Sequence, residues 1–462
     1  MQPGYSNTRS NSRPLTVAIV GGGWAGLAAA VELCRQPAPQ PIQVTLFESA
    51  PQPGGRARSI EWKGMALDNG QHLMIGAYQQ MLSLLKTLQA DEKSLFDRLP
   101  HQLLMLDAQN GNTAFELKLP TYPAPLHLLF GVLGIKQLSF SDKLKLLWRF
   151  NRLLNTPIVE DLSVSDWLDK GQLPDDYRRY LLEPLCLAAL TTHPAQASAR
   201  AFQSVLLQTF NAPADHTDLL IARKDLGQVF PAQAAAFIQQ QGGVIHTRSK
   251  VQRLLLDKDD KGRLGVQLKD RIETFDQLIL ATPPTVSARL LADHPQTAPL
   301  AASIEQLQYE PVANLYLQFA SAVHLPCPML GLVNGTAEWV FERASSGQPQ
   351  LLAVVISAHG PHLQMGQEAL RDQVLAELQT VLGPLPVCID SRLIVEKRAT
   401  VQCHPGVDAL RPTTQSDVEN LQLCGDYVYI EENNQPALPS TLEGALRSGV
   451  KCAQHILQQS NH

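Results

Sequence analysis

The stretch from Thr16 to Glu48, TVAIVGGGWAGLAAAVELCRQPAPQPIQVTLFE, decides the fold of this chain. It opens with a short apolar run, VAIV, which predicts a buried strand of a parallel sheet. A G-x-G-x-x-G pattern follows at Gly21, Gly23 and Gly26, and it leads into small residues that predict a helix. A second apolar run, VTLF, ends on the acid Glu48. This order predicts a βαβ unit that binds a dinucleotide.

The glycines and the helix start each have a physical reason in such a unit. Gly21 makes the tight turn from strand to helix, and Gly23 lets the backbone approach a pyrophosphate. Gly26 lets the helix lie close to the strand. The first helical turn, which includes Trp24 and Ala25, points N–H groups and a partial positive charge at the phosphates.

Glu48 follows the glycine motif by roughly 20 residues, the distance at which a carboxylate meets the ribose of a dinucleotide. A carboxylate there accepts hydrogen bonds from ribose hydroxyls and repels a 2′-phosphate, so an unphosphorylated ribose is favoured. A glycine-rich turn beside a surface glutamate is the alternative interpretation. The strand before the motif and the helix after it favour the dinucleotide site.

A second glycine pair indicates which dinucleotide is bound. Gly54, Gly55 and Arg56 follow soon after Glu48 and can bring more N–H groups and a cation to the same pyrophosphate. Arg58, two residues later, is equally well explained as a solvated side chain. The pattern resembles the G-G-R-x-x-[ST] extension of the FAD-dependent amine oxidase and carotenoid desaturase superfamily. This resemblance implies FAD as the cofactor and places the backbone at Val251 against the adenine.

The C-terminal stretch carries a second signature of the same superfamily. A predicted strand ends before Gly425 and Asp426, and a loop then leads to a helix predicted over 442–456. Small residues near a helix start allow close approach to a ligand. The resemblance to the G-D motif and the E-G-A-x-x-S-G helix implies contacts with the flavin and ribityl chain. The further residues implied are Leu438, Pro439, Glu443, Gly444 and Ala445.

Composition excludes several classes of protein. The chain has 462 residues, of which 44% are hydrophobic and 18% charged, so it can bury a large core. A net charge near −5 gives no indication of nucleic-acid binding. Seven scattered cysteines without a C-x-x-C pair fit a reducing compartment, and no cluster has the spacing of a metal site. The polar N-terminus predicts neither a signal peptide nor a membrane span, so we expect a cytoplasmic protein.

Segments with the strand and helix pattern of the first βαβ unit alternate along the chain with segments of different predicted structure. This alternation predicts two interleaved domains. The fold class is α/β, with a Rossmann-like FAD-binding domain of the amine oxidase and glutathione-reductase type and an inserted α+β substrate domain. The predicted boundaries are 1–13 for a disordered tail, 14–90, 225–290 and 395–462 for the FAD-binding domain, and 91–224 and 291–394 for the substrate domain.

Local patterns predict individual elements as well. Apolar residues at helical spacing predict a helix over 141–154, and residues 177–190 read as a helix interrupted near Pro184. Ser165 is a predicted N-cap, and residues 60–67 read as one strand.

Over nearly its whole length the chain is similar to the hydroxysqualene dehydroxylase family, also called squalene-associated FAD-dependent desaturases. The motifs VAIVGGGWAGLAAAVEL, GGRARS, LDNGQHLMIGAY, YPAPLHLL and LPSTLEGALRSG carry the resemblance. Trp24 and the DNGQH motif are its more specific parts. The family implies that reduced FAD delivers hydride to an allylic alcohol of a C30 isoprenoid, hydroxysqualene. The hydroxyl leaves and squalene forms, as a precursor for hopanoid biosynthesis.

The DNGQH motif supplies the candidate catalytic residues. His72 titrates near neutral pH and is a candidate acid for the departing hydroxyl, and Asp68 is a candidate to orient it or a water. The alternative is that Asp68, Asn69 and Gln71 only brace the loop by hydrogen bonding. Asn69, Gly70 and Gln71 belong to the segment that approaches the flavin in related enzymes.

Two rival functions share these motifs. A carotenoid or polyprenyl desaturase, or another amine oxidase-like enzyme, binds the same FAD but removes hydride. A prenyl-chain carrier of the GDP-dissociation-inhibitor type shares the architecture without redox chemistry, although intact FAD motifs argue against it. No second dinucleotide motif is present, so we expect an external electron donor.

The segment from Pro123 to Leu147 is a predicted membrane contact. It offers Leu126, Leu128, Leu129, Phe130, Val132, Leu133 and Ile135, followed by Lys136, Lys143, Lys145 and Arg149. Such an apolar patch flanked by cations suits the surface of an anionic membrane. The segment is too short to span a bilayer, so we expect peripheral attachment to the inner face of the cytoplasmic membrane. Capping of the substrate domain's core is the alternative.

Overall fold

The computed structural model describes residues 13–35, 40–431 and 437–459. Apart from Arg13, the predicted disordered tail lies outside the described residues. Within them, strands are numbered β1–β20 and α-helices α1–α15 in chain order.

A five-stranded parallel sheet forms the base of the nucleotide-binding region. Its strand order is β10-β2-β1-β14-β20, and every neighbouring pair is parallel. The run VAIV of β1 is buried, as its apolar character predicts for a strand covered on both faces. The strands are β1 (Leu15–Val20), β2 (Ile42–Phe47), β10 (Val244–His246), β14 (Gln277–Leu280) and β20 (Leu421–Leu423).

One face of this sheet is covered by helices that pack unusually close together. The Cβ that any other residue would place at Gly449 would lie 2.0 Å from the carbonyl oxygen of Ala25, so glycine is required where the first and last helices cross. The helices of this layer are α1 (Trp24–Arg35), α2 (Gln79–Thr87), α10 (Leu226–Val229), α11 (Pro231–Gln240) and α15 (Leu442–Gln459).

The opposite face is covered by a small antiparallel sheet and two helices. These elements share one apolar cluster with β1, β14 and β20. They are β11 (Arg253–Leu255), β12 (Leu264–Gln267), β13 (Ile272–Phe275), α12 (Pro284–Ala292) and α13 (Ala298–Glu305).

The second large sheet is mixed and has seven strands, in the order β19-β15-β18-β17-β16-β7-β8. Only the β16–β7 pair is parallel. Strand β19 continues to Val401 and so passes the predicted domain boundary at 394. The strands are β7 (Gln102–Asp107), β8 (Thr113–Lys118), β15 (Tyr309–Phe319), β16 (Met329–Val333), β17 (Trp339–Glu342), β18 (Leu351–Ser357) and β19 (Cys388–Val401).

Helices cover both faces of the seven-stranded sheet. Helix α14 (Gln367–Leu382) packs its buried leucines and valine on one face. A lobe of helices packs on the other face. That helical lobe consists of α4 (Leu126–Gly134), α5 (Phe140–Asn155), α6 (Val164–Gly171), α7 (Asp175–Tyr177), α8 (Glu183–Leu190) and α9 (Ala199–Phe210).

Two small sheets complete the fold. One is a hairpin, and the other has the order β5-β9-β6. Their elements are β3 (Ser59–Trp62), β4 (Met65–Asp68), β5 (Met74–Ile75), α3 (Glu92–Leu95), β6 (Phe96–Leu99) and β9 (Leu219–Ala222).

Two local predictions need correction, and a third is confirmed. Residues 60–67 form the hairpin β3–β4, because Lys63 and Gly64 both have positive φ and turn the chain back. The N-cap of α6 is Ser163, whose side chain accepts a hydrogen bond from the amide of Asp166. The helix predicted over 177–190 with an interruption near Pro184 is confirmed, because a π-helical segment over 178–182 leads directly into α8 just before Pro184.

Candidate active site

The two glycine motifs lie against each other at the carboxyl end of β1. The amide of Gly54 donates to the carbonyl oxygen of Gly22 at 2.8 Å, and Gly23 forms a parallel bridge with Gly54. A Cβ at Gly55 would lie 3.1 Å from the Cα of Gly23. The predicted convergence of both motifs on one place is therefore present.

The start of α1 offers room and donors for a phosphate. A Cβ at Gly23 would meet only the Cα of Gly55, at 3.9 Å, so the absent side chain leaves an opening there. The first intrahelical bond runs from the amide of Leu27 to the carbonyl of Gly23, so the amides of Trp24, Ala25 and Gly26 point out of the helix end. These residues fit the pyrophosphate of a dinucleotide.

Glu48 lies under this turn. Its buried carboxylate accepts hydrogen bonds from the amides of Gly22 and Ala50, each at 2.7 Å. The amide of Ser249 donates to the carbonyl of Glu48, which brings the segment leading to the buried Val251 alongside. Contact of Glu48 with a ribose and of Val251 with an adenine stay predictions.

Trp24 braces the second glycine loop. Its indole Nε1 donates to the carbonyl of Ala57 at 2.9 Å, and its ring packs against Phe230 with centroids 5.2 Å apart. The side chain is buried. Trp24 therefore holds the loop that carries Gly54, Gly55 and Arg56 in place through its side chain.

Arg56 joins three distant chain segments. Its guanidinium pairs with the carboxylate of Asp426 and donates to the carbonyl of Ala399 at 2.7 Å. Burial lowers the pKa of Arg56, but attraction to Asp426 outweighs it and the net shift is upward. Arg56 and Asp426, which the sequence analysis placed at the cofactor in separate motifs, are thus partners. Their ion pair links the second glycine loop to the C-terminal motif.

The C-terminal motif is shaped by its small residues. Gly425 has a φ of 152°, which only glycine adopts easily, and its amide donates to Ser448 Oγ at 2.9 Å. The hydroxyl of Thr441 accepts from the amide of Gly444 at 3.0 Å, and the carbonyl of Thr441 accepts from Ala445. Leu438 is half-buried and Pro439 is buried in the loop before the helix.

The side chain of Glu443 is engaged by protein groups, and its predicted contact with the cofactor stays a prediction. Its buried carboxylate accepts from the amides of Gln80 and Met81, at 2.8 and 3.1 Å, and from Arg447 at 2.9 Å. Burial raises the pKa of Glu443, and Arg447 opposes that shift. Glu443 therefore ties α15 to the N-terminus of α2, where a carboxylate also interacts favourably with the helix dipole.

Asp68 is fixed from two sides. Its carboxylate accepts from the amide of Leu226 at 2.7 Å and from the guanidinium of Arg343 at 2.9 Å. Asp68 and Arg343 are only 2% and 3% exposed, so this is a buried ion pair. Burial raises the pKa of Asp68, and Arg343 and the Leu226 amide act against that shift. No hydrogen bond to His72 is formed, so among the described residues Asp68 acts as a brace.

The next three residues are contacted from both sides of the loop. The amide of Gln71 donates to Asn314 Oδ1 at 2.8 Å, and its side-chain oxygen accepts from Arg343 at 2.8 Å. The amide of Asn69 donates to the carbonyl of Arg58 at 2.9 Å. A Cβ at Gly70 would approach Asn314 Nδ2 to 3.5 Å. The loop thus spans both sheet systems.

His72 has one nitrogen engaged. Its Nδ1 lies 2.6 Å from the carbonyl oxygen of Gly70, a geometry in which Nδ1 carries a proton and donates. Burial lowers the pKa of His72 below its usual value, and the Gly70 carbonyl and Asp68 oppose that shift. His72 lines a small cavity together with Gln71, Leu220, Phe341 and Arg343.

Three residues of this network, Asn314, Tyr316 and Arg343, carried no local sequence signal. Asn314 and Tyr316 are two residues apart in β15 and so lie on the same face of the strand. The hydroxyl of Tyr316 donates to the carbonyl of Asp68 at 2.8 Å. Arg343 follows β17 on the same face as Phe341. Two atoms of this network, Arg343 Nε and Asn314 Nδ2, are buried without a hydrogen-bond partner among the described residues, which suits a site that receives a polar group.

Other candidate acids and metal ligands are poorly placed. Burial raises the pKa of Glu338 to about 7. Glu338 is two residues before Val340 and so lies on the same face of the sheet. Val340 packs toward α14, on the opposite face from Arg343. Within the described residues, no group of three His, Cys, Asp or Glu side chains could hold a metal ion. Within the 68–72 loop, His72 is the titratable side chain that lines the small cavity.

Comparison with known proteins identifies the kind of site. Residues 24–457 match the family described as flavin containing amine oxidoreductase. Hydroxysqualene dehydroxylases from Sinorhizobium fredii and Rhodopseudomonas palustris are each 28% identical to this chain. The matches cover 97% and 96% of this chain and 100% and 98% of the relatives. A 15-cis-phytoene desaturase from Glycine max is 23% identical, with 97% of this chain and 80% of that protein covered.

Solved structures share the fold. An oxidoreductase from Methanosarcina mazei superposes with a TM-score of 0.72 at 17% identity, over 96% of this chain and 100% of that one. The predicted α/β class with a Rossmann-like FAD-binding domain is confirmed. The opening at Gly23 and the helix end beside it are the residues that would hold the pyrophosphate of the cofactor, which is FAD.

Proposed function

Because the chain belongs to the flavin-containing amine oxidoreductase family and is an FAD-dependent enzyme, we propose that it reduces hydroxysqualene to squalene. The observation that carries this proposal is the similarity to two hydroxysqualene dehydroxylases, which covers 97% and 96% of this chain. The geometry around His72 supports it, because the reaction needs a proton donor beside an apolar substrate.

The proposed reaction consumes one hydride and one proton. The allylic C–O bond of the substrate breaks, a C–H bond forms at the same carbon, and the hydroxyl leaves as water. Reduced FAD, when bound, supplies the hydride. The chain must supply the proton, hold the substrate and exclude water.

His72 is the proposed proton donor. Since Nδ1 donates to the carbonyl of Gly70, Nε2 is the ring atom that can carry the transferable proton. The shift of its pKa to a lower value means that His72⁺ is a stronger acid than an exposed histidine. The cavity wall beside it combines the apolar Leu220 and Phe341 with the polar Gln71 and Arg343.

Asp68 and Arg343 act as positioning residues in this proposal. Their buried ion pair fixes the start of the loop, and Arg343 also holds the Gln71 side chain. Because Asn314 and Tyr316 bind the loop from β15, the loop geometry follows the position of the seven-stranded sheet. The bracing interpretation of Asp68 is thus the better supported one.

Electrons must enter from outside the chain, since its sequence carries a single dinucleotide fingerprint. The donor is a small molecule or a redox protein that reduces bound FAD. Squalene made this way would supply hopanoid synthesis.

A desaturase acting on a carotenoid or polyprenyl chain is the second candidate. The similarity to a 15-cis-phytoene desaturase over nearly the whole chain favours it. In that reaction the substrate would lose a hydride and a proton, and oxidised FAD would be reduced. The two candidates therefore differ in the redox state of FAD that reacts.

Single-turnover stoichiometry tests the proposal. Enzyme reduced with dithionite under anaerobic conditions is mixed with hydroxysqualene, while flavin absorbance and extracted lipids are followed together. We expect one squalene for each FAD reoxidised. Failure of reduced enzyme to convert hydroxysqualene, combined with desaturation of a polyprenyl substrate by oxidised enzyme, would replace the proposal by its rival.

A further inference from the structure

Exposed apolar side chains are concentrated in one part of the molecule. Among the described residues, seven of thirteen exposed large apolar side chains lie between residues 122 and 148, and these seven include all four exposed aromatic rings. Such concentration distinguishes a docking surface from singly scattered apolar residues. The seven, here called the α4–α5 face, are Tyr122, Leu126, Leu129, Phe130, Phe140, Leu144 and Trp148.

Helical spacing explains why these side chains are exposed together. Leu126, Leu129 and Phe130 lie on one side of α4, while His127 and Gly131 face the core. On α5, Phe140, Leu144 and Trp148 recur every four residues and form a second stripe. The two helices are tied together, because Lys143 Nζ donates to the carbonyl of Leu133 at 2.8 Å.

The structure revises which residues could anchor the protein. Ile135 is fully buried, and Leu128 and Val132 pack against the core, so these members of the predicted contact are unavailable. Trp148, which is 63% exposed, and Phe140, which is 68% exposed, extend the surface along α5 instead. Part of the segment caps the core, and a different part faces outward.

The charge around the face is opposite to that of the whole chain. The chain has a net charge of −5, whereas residues 122–156 contain five cations and one carboxylate. Arg152 lies 5.6 Å from the ring centroid of Trp148, so a cation and an anchor side chain are adjacent. The cations are Lys136, Lys143, Lys145, Arg149 and Arg152, and the carboxylate is Asp142.

We infer that the α4–α5 face binds the surface of an anionic lipid bilayer. Aromatic rings and leucines enter the boundary between headgroups and acyl chains, and Lys and Arg side chains meet the phosphates. A second copy of this chain fits less well, because docking the face on itself would bring like charges together. Among the described residues, no helix has the length and apolarity to cross a bilayer, so binding occurs at the surface.

The inference rests on the proposed function in one respect: membrane binding would give the enzyme access to a substrate dissolved in lipid. One apolar cluster extends from Leu146 and Leu154 on the inner side of α5 to Leu67 and Tyr316, which adjoin Asp68. The inner side of α5 and the residues that adjoin Asp68 thus belong to the same apolar cluster. A membrane-dissolved substrate would enter from the side where this lobe meets lipid.

Vesicle flotation without substrate tests the inference, so its result does not depend on the catalytic proposal. Full-length protein is floated with vesicles of phosphatidylcholine containing phosphatidylglycerol, and with phosphatidylcholine alone. Parent protein should float with the anionic vesicles and less with the neutral ones. The anchor variant Phe130→Ser/Trp148→Ser should bind roughly tenfold more weakly or worse, because two aromatic anchors are lost.

Matched controls separate anchoring from general apolarity and charge. Val387→Ser/Ile389→Ser removes two exposed apolar side chains elsewhere, at 72% and 57% exposure, and should float like the parent. Lys136→Gln/Lys145→Gln should weaken binding by about fivefold for each cation. Replacing two cations outside the face, Lys86→Gln/Lys269→Gln, should weaken it much less.

Several outcomes would overturn the inference. Parent protein that does not float with either vesicle contradicts it, as does an anchor variant that keeps its FAD and floats like the parent. A parent dimer that becomes monomeric in the anchor variant, without vesicle binding by either, would assign the face to self-association. If the anchor variant loses FAD, the charge variant decides the question by itself.

Discussion

At the scale of single residues, Asp68 and His72 have different parts in one loop. Asp68 has its carboxylate engaged by an amide and a guanidinium, so it fixes the loop. Among the described residues, His72 forms a hydrogen bond through Nδ1, to the carbonyl of Gly70, and none through Nε2. This division of roles gives two separate predictions, one for rate and one for stability.

Replacing His72 should slow turnover without removing FAD. His72→Gln is expected to lose roughly 10²- to 10⁴-fold in single-turnover rate, because the leaving hydroxyl loses its acid. Burial lowers the pKa of His72, so the protonated fraction, and with it the parent rate, should rise as pH falls below about 6.5. The variant should lack this pH dependence. His193→Gln, at an exposed histidine, is the control, and an unchanged rate in His72→Gln would exclude His72 from proton transfer.

Breaking the buried ion pair should destabilise the protein. Arg343→Met leaves the carboxylate of Asp68 buried beside an apolar side chain, and we expect the free energy of unfolding to fall by about 3–5 kcal/mol. Urea denaturation measures this loss. The double variant Asp68→Asn/Arg343→Met should recover part of it, because the remaining charge is removed as well. A loss below about 1 kcal/mol in the single variant would mean that the pair does not hold the loop.

At the scale of elements, α15 crosses α1 in close contact beside the start of α1. Gly449 allows α15 to lie on the backbone of α1 beside Ala25, within one turn of the helix start. The cofactor motif at the N-terminus and the one at the C-terminus are therefore joined by packing as well as by the Arg56–Asp426 pair.

Adding one methyl group at this crossing should disturb both stability and cofactor binding. Gly449→Ala places a Cβ 2.0 Å from a carbonyl oxygen, so α15 must shift, at a cost of about 1–3 kcal/mol. Thermal denaturation and FAD content should both decrease. Gly134→Ala is the matched control, since nothing lies within 4 Å of its Cβ and an added methyl should be neutral or stabilising. Equal behaviour of the two variants would contradict the close crossing.

The elements also show why sequence alone predicted one half of the site better than the other. The glycine motifs and Glu48 lie within a continuous stretch of chain, so strand, turn and helix signals predicted their meeting at the end of β1. Asn314 and Arg343 reach the 68–72 loop from strands more than 240 residues away. Only the pairing of β15, β18 and β17 places them there, and no local pattern encodes that pairing. The direction of Glu443 toward α2 depends on packing in the same way.

At the scale of the whole molecule, the loop from Asp68 to His72 lies where the two sheet systems meet. Arg58 and Leu226 hold it from the nucleotide-binding side, and the strands of the seven-stranded sheet hold it from the other. The helical lobe on that sheet carries the exposed α4–α5 face at its surface. Under the proposed function, the glycine motifs would hold the cofactor, His72 would donate the proton and the α4–α5 face would contact lipid.

One measurement tests the central claim, hydride delivery to the carbon that loses its hydroxyl. Reduced enzyme exchanged into D₂O is mixed with hydroxysqualene under anaerobic conditions, and the squalene from a single turnover is analysed by mass spectrometry and NMR. The proton on the reduced flavin N5 exchanges with solvent, so the account predicts squalene with one deuterium, located at the former carbinol carbon. Unconverted hydroxysqualene, a desaturated product, or squalene without deuterium at that carbon would contradict it.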